Sequence, residues 1–593
     1  MLGTYLSLLL ILAVAALVGQ GLFSLCGRRD WSWLAPALGL AVLTAVAWGA
    51  VNLAGDPVVG AVVIGLFALA SAVVIPRARP GTSAVVVIIG SVALASLPFL
   101  LEGRFGILGT SLNPDMSQHL FAVDRLANGG AERLIAEGYP LGPHAIVAAL
   151  SALGPSLVEG FNGLTLAIAV ATCLAPLALL DEIAGFWRRA LIGLLVGLTY
   201  MLASSLIQGS FKETLQALFV LAFAIAVAQA VAGTLGGGLP ADRWERWRFV
   251  PLAALAAGSI YAYSFPGLTW LIGTIGLVAV LAAAVTSGRL PFRRIAVPAA
   301  SATVLFLVAV LPEVGRIAEF GSFETFDPEG DGLGNLFGSI SAIEALGIWP
   351  SGDFRLTAGA GSAPAAAFWL GALVALAGLA YGLLWWVRRG EVVVPAALGA
   401  AALIYLYTVA AGTPYQEAKA IVIAAPLATL IAARALLADA EPARPRLAVL
   451  AGAYVLLAAA CSALTLVNGP VGPAAWGPGL IELREERLIK GPVQALAPPD
   501  YLTDEHGAHL VAWELRGGEV CVGETGTSLP PGVPHVVTVT PGGGRPAPPY
   551  SGLEELRTSG AYTLWEVTKP ERVPQSVCPF IADGDRAGSK PTE

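Results

Sequence analysis

The chain has 593 residues, 56% hydrophobic and only 13% charged, against roughly 25% charged in an ordinary soluble protein. That deficit excludes a wholly soluble fold, and a net charge of −7 argues against a nucleic-acid partner. Apolar runs of about 18–24 residues recur as far as residue 467, each long enough to cross a bilayer core.

The expected spans are roughly 4–25, 33–53, 57–76, 82–101, 158–180, 190–207, 212–233, 249–263, 265–286, 295–312, 365–387, 392–411, 417–438 and 447–467, about fourteen in all. The first run, Leu2 to Leu25, is too long for a signal peptide and lacks a charged leader, so it reads as a retained span. Alternate connections hold 17 Lys and Arg, from Arg28/Arg29 and Arg77/Arg79 to Arg434/Arg444/Arg446. The opposite connections hold seven: Arg104, Arg125, Arg133, Lys212, Arg316, Arg355 and Lys419. Cytoplasmic loops carry the basic excess. Both termini and the two long loops, 102–157 and 313–364, are therefore expected on the outer face of the cell membrane. The domains are a transmembrane unit over 1–467 and an extracytoplasmic unit over 468–593.

The first long loop holds "LNPDMSQH" at 112–119. Asn113-Pro114 reads as a cap and first-turn proline, opening a helix that Gly129-Gly130 ends. Asp115 and His119 then lie one turn apart on one face, beside an apolar stripe of Met116, Leu120 and Val123 suited to lying on the membrane. Such a pair suits a general base with its orienting partner, or two metal ligands. The plainer alternative is a carboxylate complementing the helix N-terminus and a packed histidine. His144 follows "GYPLGP", after Tyr139, and begins an apolar run too short to span. That run, 144–154, is expected to be re-entrant or interfacial. His119 and His144 are the only histidines before the tail.

Lys212 in "QGSFKET" and Lys419 in "TPYQEAKA", beside Tyr415, are the only lysines before the tail, and each opens a span on the expected outer side. They snorkel to headgroups, pair with Glu213 or Glu417, or hold a lipid phosphate. The second long loop contains "DPEGDG", which lacks the Glu at the twelfth position that an EF-hand needs. No cofactor is implied with certainty; a Mg, Mn or Ca ion stays open. In "GIWPSGDFR", Trp349 is placed to stack on a sugar ring, with Asp353 and Arg355 binding hydroxyls or phosphate. P-loop, GxSxG, HExxH and CxxC motifs are absent.

The tail reads as a small α/β domain, with helices near 480–490 and 552–558 and strands near 508–515, 518–524, 534–540 and 561–568. Cys521 and Cys578 are placed to form a disulfide if the tail is extracytoplasmic, worth roughly 4 kcal/mol.

"NPDMSQH", "YPLGPHA", "GIWPSGDFR" and "PYQEAKA", with the architecture of 1–467, resemble the GT-C class of integral-membrane glycosyltransferases. The resemblance implies an all-α polytopic fold and a polyprenyl-phosphate-sugar donor. It also implies a glycan or glycolipid acceptor, membrane lipids as partners, and Asp115 as the catalytic carboxylate. Lys212, Lys419 or Arg316 would hold the departing lipid phosphate. Two features depart from the class: the acidic loop follows the fourth span rather than the first, and His119 stands in place of a second acid. A flippase or transporter of lipid-linked saccharides is the alternative reading.

Overall fold

The computed structural model describes the chain outside residues 77–80, 111–114, 130, 233–242, 286–291, 321–331, 334–335, 337, 353–355, 357–362, 439–444, 473–476, 486–487, 490–491, 499–506, 517–519, 525–527, 541–546, 576–580 and 583–593. The N-terminal part runs α1 (Leu2–Leu25), α2 (Ala35–Ala54), α3 (Pro57–Val74), α4 (Thr82–Ala95), α5 (Leu97–Leu101), β1 (Ile107–Leu108), α6 (Asp115–Asn128), α7 (Glu132–Ala136), α8 (Gly142–Ser151) and α9 (Leu157–Leu174). It continues through α10 (Phe186–Gly197), α11 (Tyr200–Ile207), α12 (Phe211–Ala232), α13 (Arg243–Trp247), α14 (Val250–Tyr263), α15 (Gly267–Val285), α16 (Phe292–Val310) and α17 (Val314–Phe320). The last membrane helices are α18 (Ala365–Arg388), α19 (Val393–Ala411), α20 (Pro414–Leu437) and α21 (Pro445–Val467).

Among the described residues, 11 helices are long and apolar enough to cross a membrane. The pair α10 and α11 makes one further span, bent by 54°, and the shorter apolar helices α4 and α14 complete the set of expected spans. The protein is a multi-pass, mainly helical membrane protein with a small C-terminal sheet domain.

Contacts at the helix ends sort the connections onto two faces. The N-terminal ammonium lies 3.7 Å from Glu159, so α1 and α9 begin together. Arg28 donates to Gln229 at 2.8 Å, so α1 and α12 end together. On that same arginine-rich face, Arg434 of α20 pairs at 2.5 Å with both Glu182 and Glu391 and is only 3% exposed. At the opposite helix ends the first long loop pairs with the tail, Ile107 opposite Gly472.

Small residues set the closest packing. A Cβ on Gly39 would fall 1.7 Å from the Ala15 carbonyl oxygen, and one on Gly19 would fall 1.9 Å from that of Ala35. Helices α1 and α2 therefore touch backbone to backbone, as membrane helices do where small residues face each other. The short helix α8 does not span. It is buried along Gly142–Leu150 and packs on α2 and α3 rather than lying at the interface.

The second long loop does not stay at the surface. A 3-10 turn, Ala342–Leu346, capped by Ser341 and Glu344, enters the bundle. At its end a Cβ on Gly347 would meet Thr199 Oγ1 at 2.7 Å, and Thr199 bonds Thr429 at 3.0 Å. Thr429 lies fifteen residues into α20, about 22 Å along its axis. Ser351 then bonds the Tyr200 hydroxyl at 2.5 Å. This hook meets the α10–α11 break, where interrupted backbone needs polar partners away from water.

The tail comprises β2 (Val471–Gly472), α22 (Gly477–Glu485), β3 (Val493–Ala497), α23 (Ala508–Glu514), β4 (Val520–Glu524), β5 (His535–Val539), β6 (Leu553–Ser559), β7 (Tyr562–Val567) and β8 (Ile581–Ala582). Six strands form one sheet in the order β6-β7-β5-β3-β4-β8, with β3 parallel to both β4 and β5. Two expectations are corrected here. The expected strand at 508–515 is helix α23, because a parallel β3–β4 connection needs a crossover. The expected helix at 552–558 is β6, whose Leu and Glu content is overridden by pairing with β7 across the Gly560 turn. Cys521 is disulfide-bonded; its expected partner, Cys578, lies outside the described residues.

Gly39→Leu should force α1 and α2 apart and cost about 1–3 kcal/mol, the usual range for overpacking. Gly49→Leu on the same helix, where a Cβ meets nothing within 4 Å, is the control. Thermal melting in detergent reads both. Equal midpoints for the two variants would refute the close approach.

Candidate functional site

Helix α6 begins at Asp115 and ends at Asn128, where Gly129 adopts φ 90°. Met116, Leu120 and Val123 are buried, with Met116 against Gly209. The apolar stripe therefore packs on protein, not on lipid as its amphipathic pattern suggested. This leaves Asp115 facing the start of α12, near the start of α20 and the end of α14.

Two histidines form the inner layer. His119 Nδ1 and His144 Nε2 are 3.1 Å apart. Phe211 stands edge-on to His119 at 4.8 Å between centroids, and Phe161 edge-on to His144 at 5.8 Å. Among the described residues His144 Nδ1 has no partner, so the cheaper tautomer keeps its proton on Nε2 and donates it to His119. Burial, then the Lys212 ammonium, lowers the pKa of both rings well below the ordinary 6.5, with a further push on His119 from His144.

In front of them lies the ionic layer. Lys212 donates to the Tyr139 hydroxyl and lies 4.1 Å from the centroid of that ring. Lys419 pairs with Glu213 at 3.2 Å and lies 4.3 Å from the Tyr415 centroid and 6.0 Å from that of Tyr263. Asp115 interacts electrostatically with Lys212, Tyr139 and Tyr415. Burial pushes the Tyr139 phenol up, and the Asp115 charge adds to it, so this hydroxyl stays protonated. The formal charges of Asp115, Glu213, Lys212 and Lys419 sum to zero. Two carboxylates, two ammonium groups and three phenols thus meet on the long-loop face. Among the described residues no group of three His, Cys, Asp or Glu is arranged to hold a metal.

Of the remaining expected site residues, Arg316 and Trp349 lie elsewhere. Arg316 is 7% exposed and pairs with Glu313, while its Nη atoms donate to the carbonyls of Gly138 at 2.8 Å and Ile260 at 3.2 Å. Glu313 in turn accepts from Trp48 Nε1 at 2.7 Å. Arg316, expected to hold phosphate, here clamps the turn that delivers Tyr139, with its guanidinium bonded to protein groups. Gly138 is required there: its φ is 77°, and a Cβ would fall 2.3 Å from the Arg316 carbonyl oxygen. Trp349 is 3% exposed and edge-on to Phe368 at 4.8 Å, so no open face is left for a sugar. Asp353 and Arg355 lie outside the described residues.

Sequence reasoning treated Glu213 only as a neutralising neighbour and missed Tyr263. Tyr263 closes α14 and precedes Ser264, the one non-glycine residue with positive φ among those described, at 59°. Strain of this kind collects at functional sites, and "YSFPG" at 263–267 hints at it only as a turn.

No protein-family model and no curated protein matches the sequence. Among solved structures, the chain is similar to the archaeal oligosaccharyltransferase AglB from Archaeoglobus fulgidus, in complex with an inhibitory peptide and a dolichol-phosphate, at 12% identity and a TM-score of 0.40, over 77% of this chain and 69% of that one. It is also similar to ArnT from Cupriavidus metallidurans bound to undecaprenyl phosphate, at 14% identity and a TM-score of 0.44, over 84% and 100% of the two chains.

The histidine pair predicts a pH dependence. Folded His119 and His144 have lowered pKa values, so below about pH 6.5 the unfolded chain binds protons that the folded one refuses. Stability should therefore be complete above that value and fall as pH drops through it, by up to about 1.4 kcal/mol per histidine per pH unit. Melting of wild type and of a His119→Gln/His144→Gln variant, at about pH 7.5 and about pH 5.5, checks this. An equally steep loss in both would discard the pair as its source.

Proposed function

We propose that the chain is a membrane glycosyltransferase of the GT-C class, transferring a sugar from a polyprenyl-phosphate donor to a cell-envelope glycan or lipid acceptor on the outer face. The observation that carries this reading is the meeting of Asp115 with Lys212, beside the Lys419–Glu213 pair, on helices that continue into the wall of an apolar groove.

The groove, about 530 Å³, lies between α12, α14, α15 and α16. Two helices run from the ionic layer into it. Helix α12 carries Lys212 and Glu213, then Gln216 donating to the Gly267 carbonyl at 2.8 Å, then Phe223 and Val227 on the groove wall. Helix α14 carries Tyr263 at one end and Leu252 and Ala256 on the wall. Along α15 the lining runs from Leu268 to Ala282, about 21 Å, or two thirds of a bilayer core. An unbranched polar headgroup with a long apolar tail fits this layout. The ammonium groups take the phosphate and the wall takes the tail.

In the proposed reaction Asp115 accepts the proton of the acceptor hydroxyl as its oxygen attacks the anomeric carbon. The bond from that carbon to the phosphate oxygen breaks, and the lipid phosphate leaves with its charge held by Lys212 and Lys419. Tyr139 and Tyr415, kept as phenols, orient the lysines. Glu213 offsets Lys419 until the phosphate arrives. Proton transfer to Asp115 leaves the cluster at +1 against a lipid phosphate approaching −2, and the remaining charge gives Mg, Mn or Ca a role to be tested by chelation. The disulfide at Cys521 suits a tail outside the cytoplasm. The bent α10–α11 pair favours the second reading, a flippase of lipid-linked saccharides, since broken helices mark many transporters.

Purified protein in liposomes, given a labelled polyprenyl-phosphate sugar and candidate acceptors, separates these readings. Transfer should fall at least about 100-fold in Asp115→Asn, and Lys212→Gln and Lys419→Gln should raise KM for the donor. Wild-type transfer by Asp115→Asn would remove Asp115 from the chemistry. Movement of donor between leaflets with no transfer would favour the flippase.

A further inference from the structure

The helix that bears Asp115 and His119 is gripped by the tail at two places. Before it, β1 pairs antiparallel with β2, with Ile107 opposite Gly472 and Leu108 opposite Val471, and the Gly109 amide donates to the Pro470 carbonyl at 3.1 Å. In its second turn, Phe121 stands edge-on to Trp513 of α23, 5.5 Å between centroids at 87°. The Arg516 guanidinium covers Trp513 at 3.6 Å from the ring, donates to the Trp513 carbonyl at 2.9 Å, and pairs with Asp124 at 3.5 Å. Trp513 is 2% exposed, so it joins the packed interior rather than resting on a surface.

The grip is backed by the rest of the tail. Glu514, also buried, pairs with Arg484 of α22 at 3.3 Å. Helix α22 in turn meets the sheet, where Glu482 accepts from Ser559 and a Cβ on Gly479 would meet the Ser559 carbonyl oxygen at 2.7 Å. A continuous run of contacts therefore joins the sheet, through α22 and α23, to the outward side of α6. The inward side of the same helix supplies the acid and the histidine.

We infer that the tail domain is a positioning element for α6, with Trp513 and Arg516 as its positioning residues acting through Phe121 and Asp124. Cation–π and aromatic contacts of this geometry, in a setting withdrawn from water, hold a helix in one rotation. A rotation of α6 by a fraction of a turn would carry Asp115 away from Lys212 and Tyr139, and ångström-scale misplacement of a reacting group costs about 100-fold in rate. This rests on the proposed function for its catalytic meaning, but not for the physical coupling.

Amide hydrogen exchange of the full-length protein in detergent tests the coupling directly. In Arg516→Glu, Asp124→Arg and Trp513→Ala, exchange across α6 should rise on the order of tenfold while the membrane helices keep their protection. The Asp124→Arg/Arg516→Glu double variant should recover most of it. Asp124 lies outside the tail, so Asp124→Arg weakens the contact with the tail's own fold intact. Unchanged α6 exchange in the single variants, or a double variant no better than either, would overturn the inference. Where transfer is measurable, the single variants should lower kcat and leave KM for the donor near wild type. If wild type transfers nothing, the functional reading fails, and the exchange data still decide whether the tail positions α6.

Discussion

Charge near a membrane must be matched, and that constraint orders this protein. An isolated ion moved out of water costs several kcal/mol even after relaxation, and Arg434, Arg316 and Lys419 each have an anionic partner fixed by the fold. Arg434 holds Glu182 and Glu391 at one face. Arg316 holds Glu313 and two carbonyls near the other. Lys419 holds Glu213. Lys212 differs, because its bonded partner is a neutral phenol. The two arginines use their donors on the protein itself, which makes them structural. The lysines are compact point charges beside polarizable rings, and an incoming anion can share them without dismantling the bundle.

That difference also explains what the sequence made legible. The spans, the two faces and the importance of the first long loop follow from hydropathy and the distribution of arginine. The convergence of Asp115, His119, Tyr139, His144, Lys212, Tyr415 and Lys419 was readable because histidine and lysine are scarce, so each had to sit where it is needed. Arg316 was misread because a basic residue at the outer end of a span looks the same whether it faces a ligand or a carboxylate three residues away. Trp349 was misread because an aromatic in a turn sequence suggests an interface, whereas here the loop itself dives into the bundle. Glu344 is fully buried in that loop, so a carboxylate enters the helix bundle from a segment no span prediction covers.

The tail failed locally for a related reason. In "AHLVAWELR" the apolar run suggests a strand although Ala, Leu, Glu and Arg favour the helix that forms, whereas in "SGLEELRTSG" Leu and Glu suggest a helix where a strand forms. One is a crossover between parallel strands and the other half of a hairpin. Pairing with β7 across the Gly560 turn overrode local preference at β6, whereas α23 follows the preference of its helix formers.

The hook at 341–352 has a consequence for how the protein is made. The polar break at Thr199 and Tyr200 enters the membrane about 140 residues before Ser341 to Ser351 exist to satisfy it. Helix α11 also packs on α21, the last span to be inserted. The sixth span must therefore wait in lipid, incompletely packed, until nearly the whole membrane domain has been delivered. Assembly of the bundle is consequently a late, closing event rather than a stepwise accretion from the N-terminus, and a nascent chain stalled before the hook would present an exposed polar kink to membrane quality control.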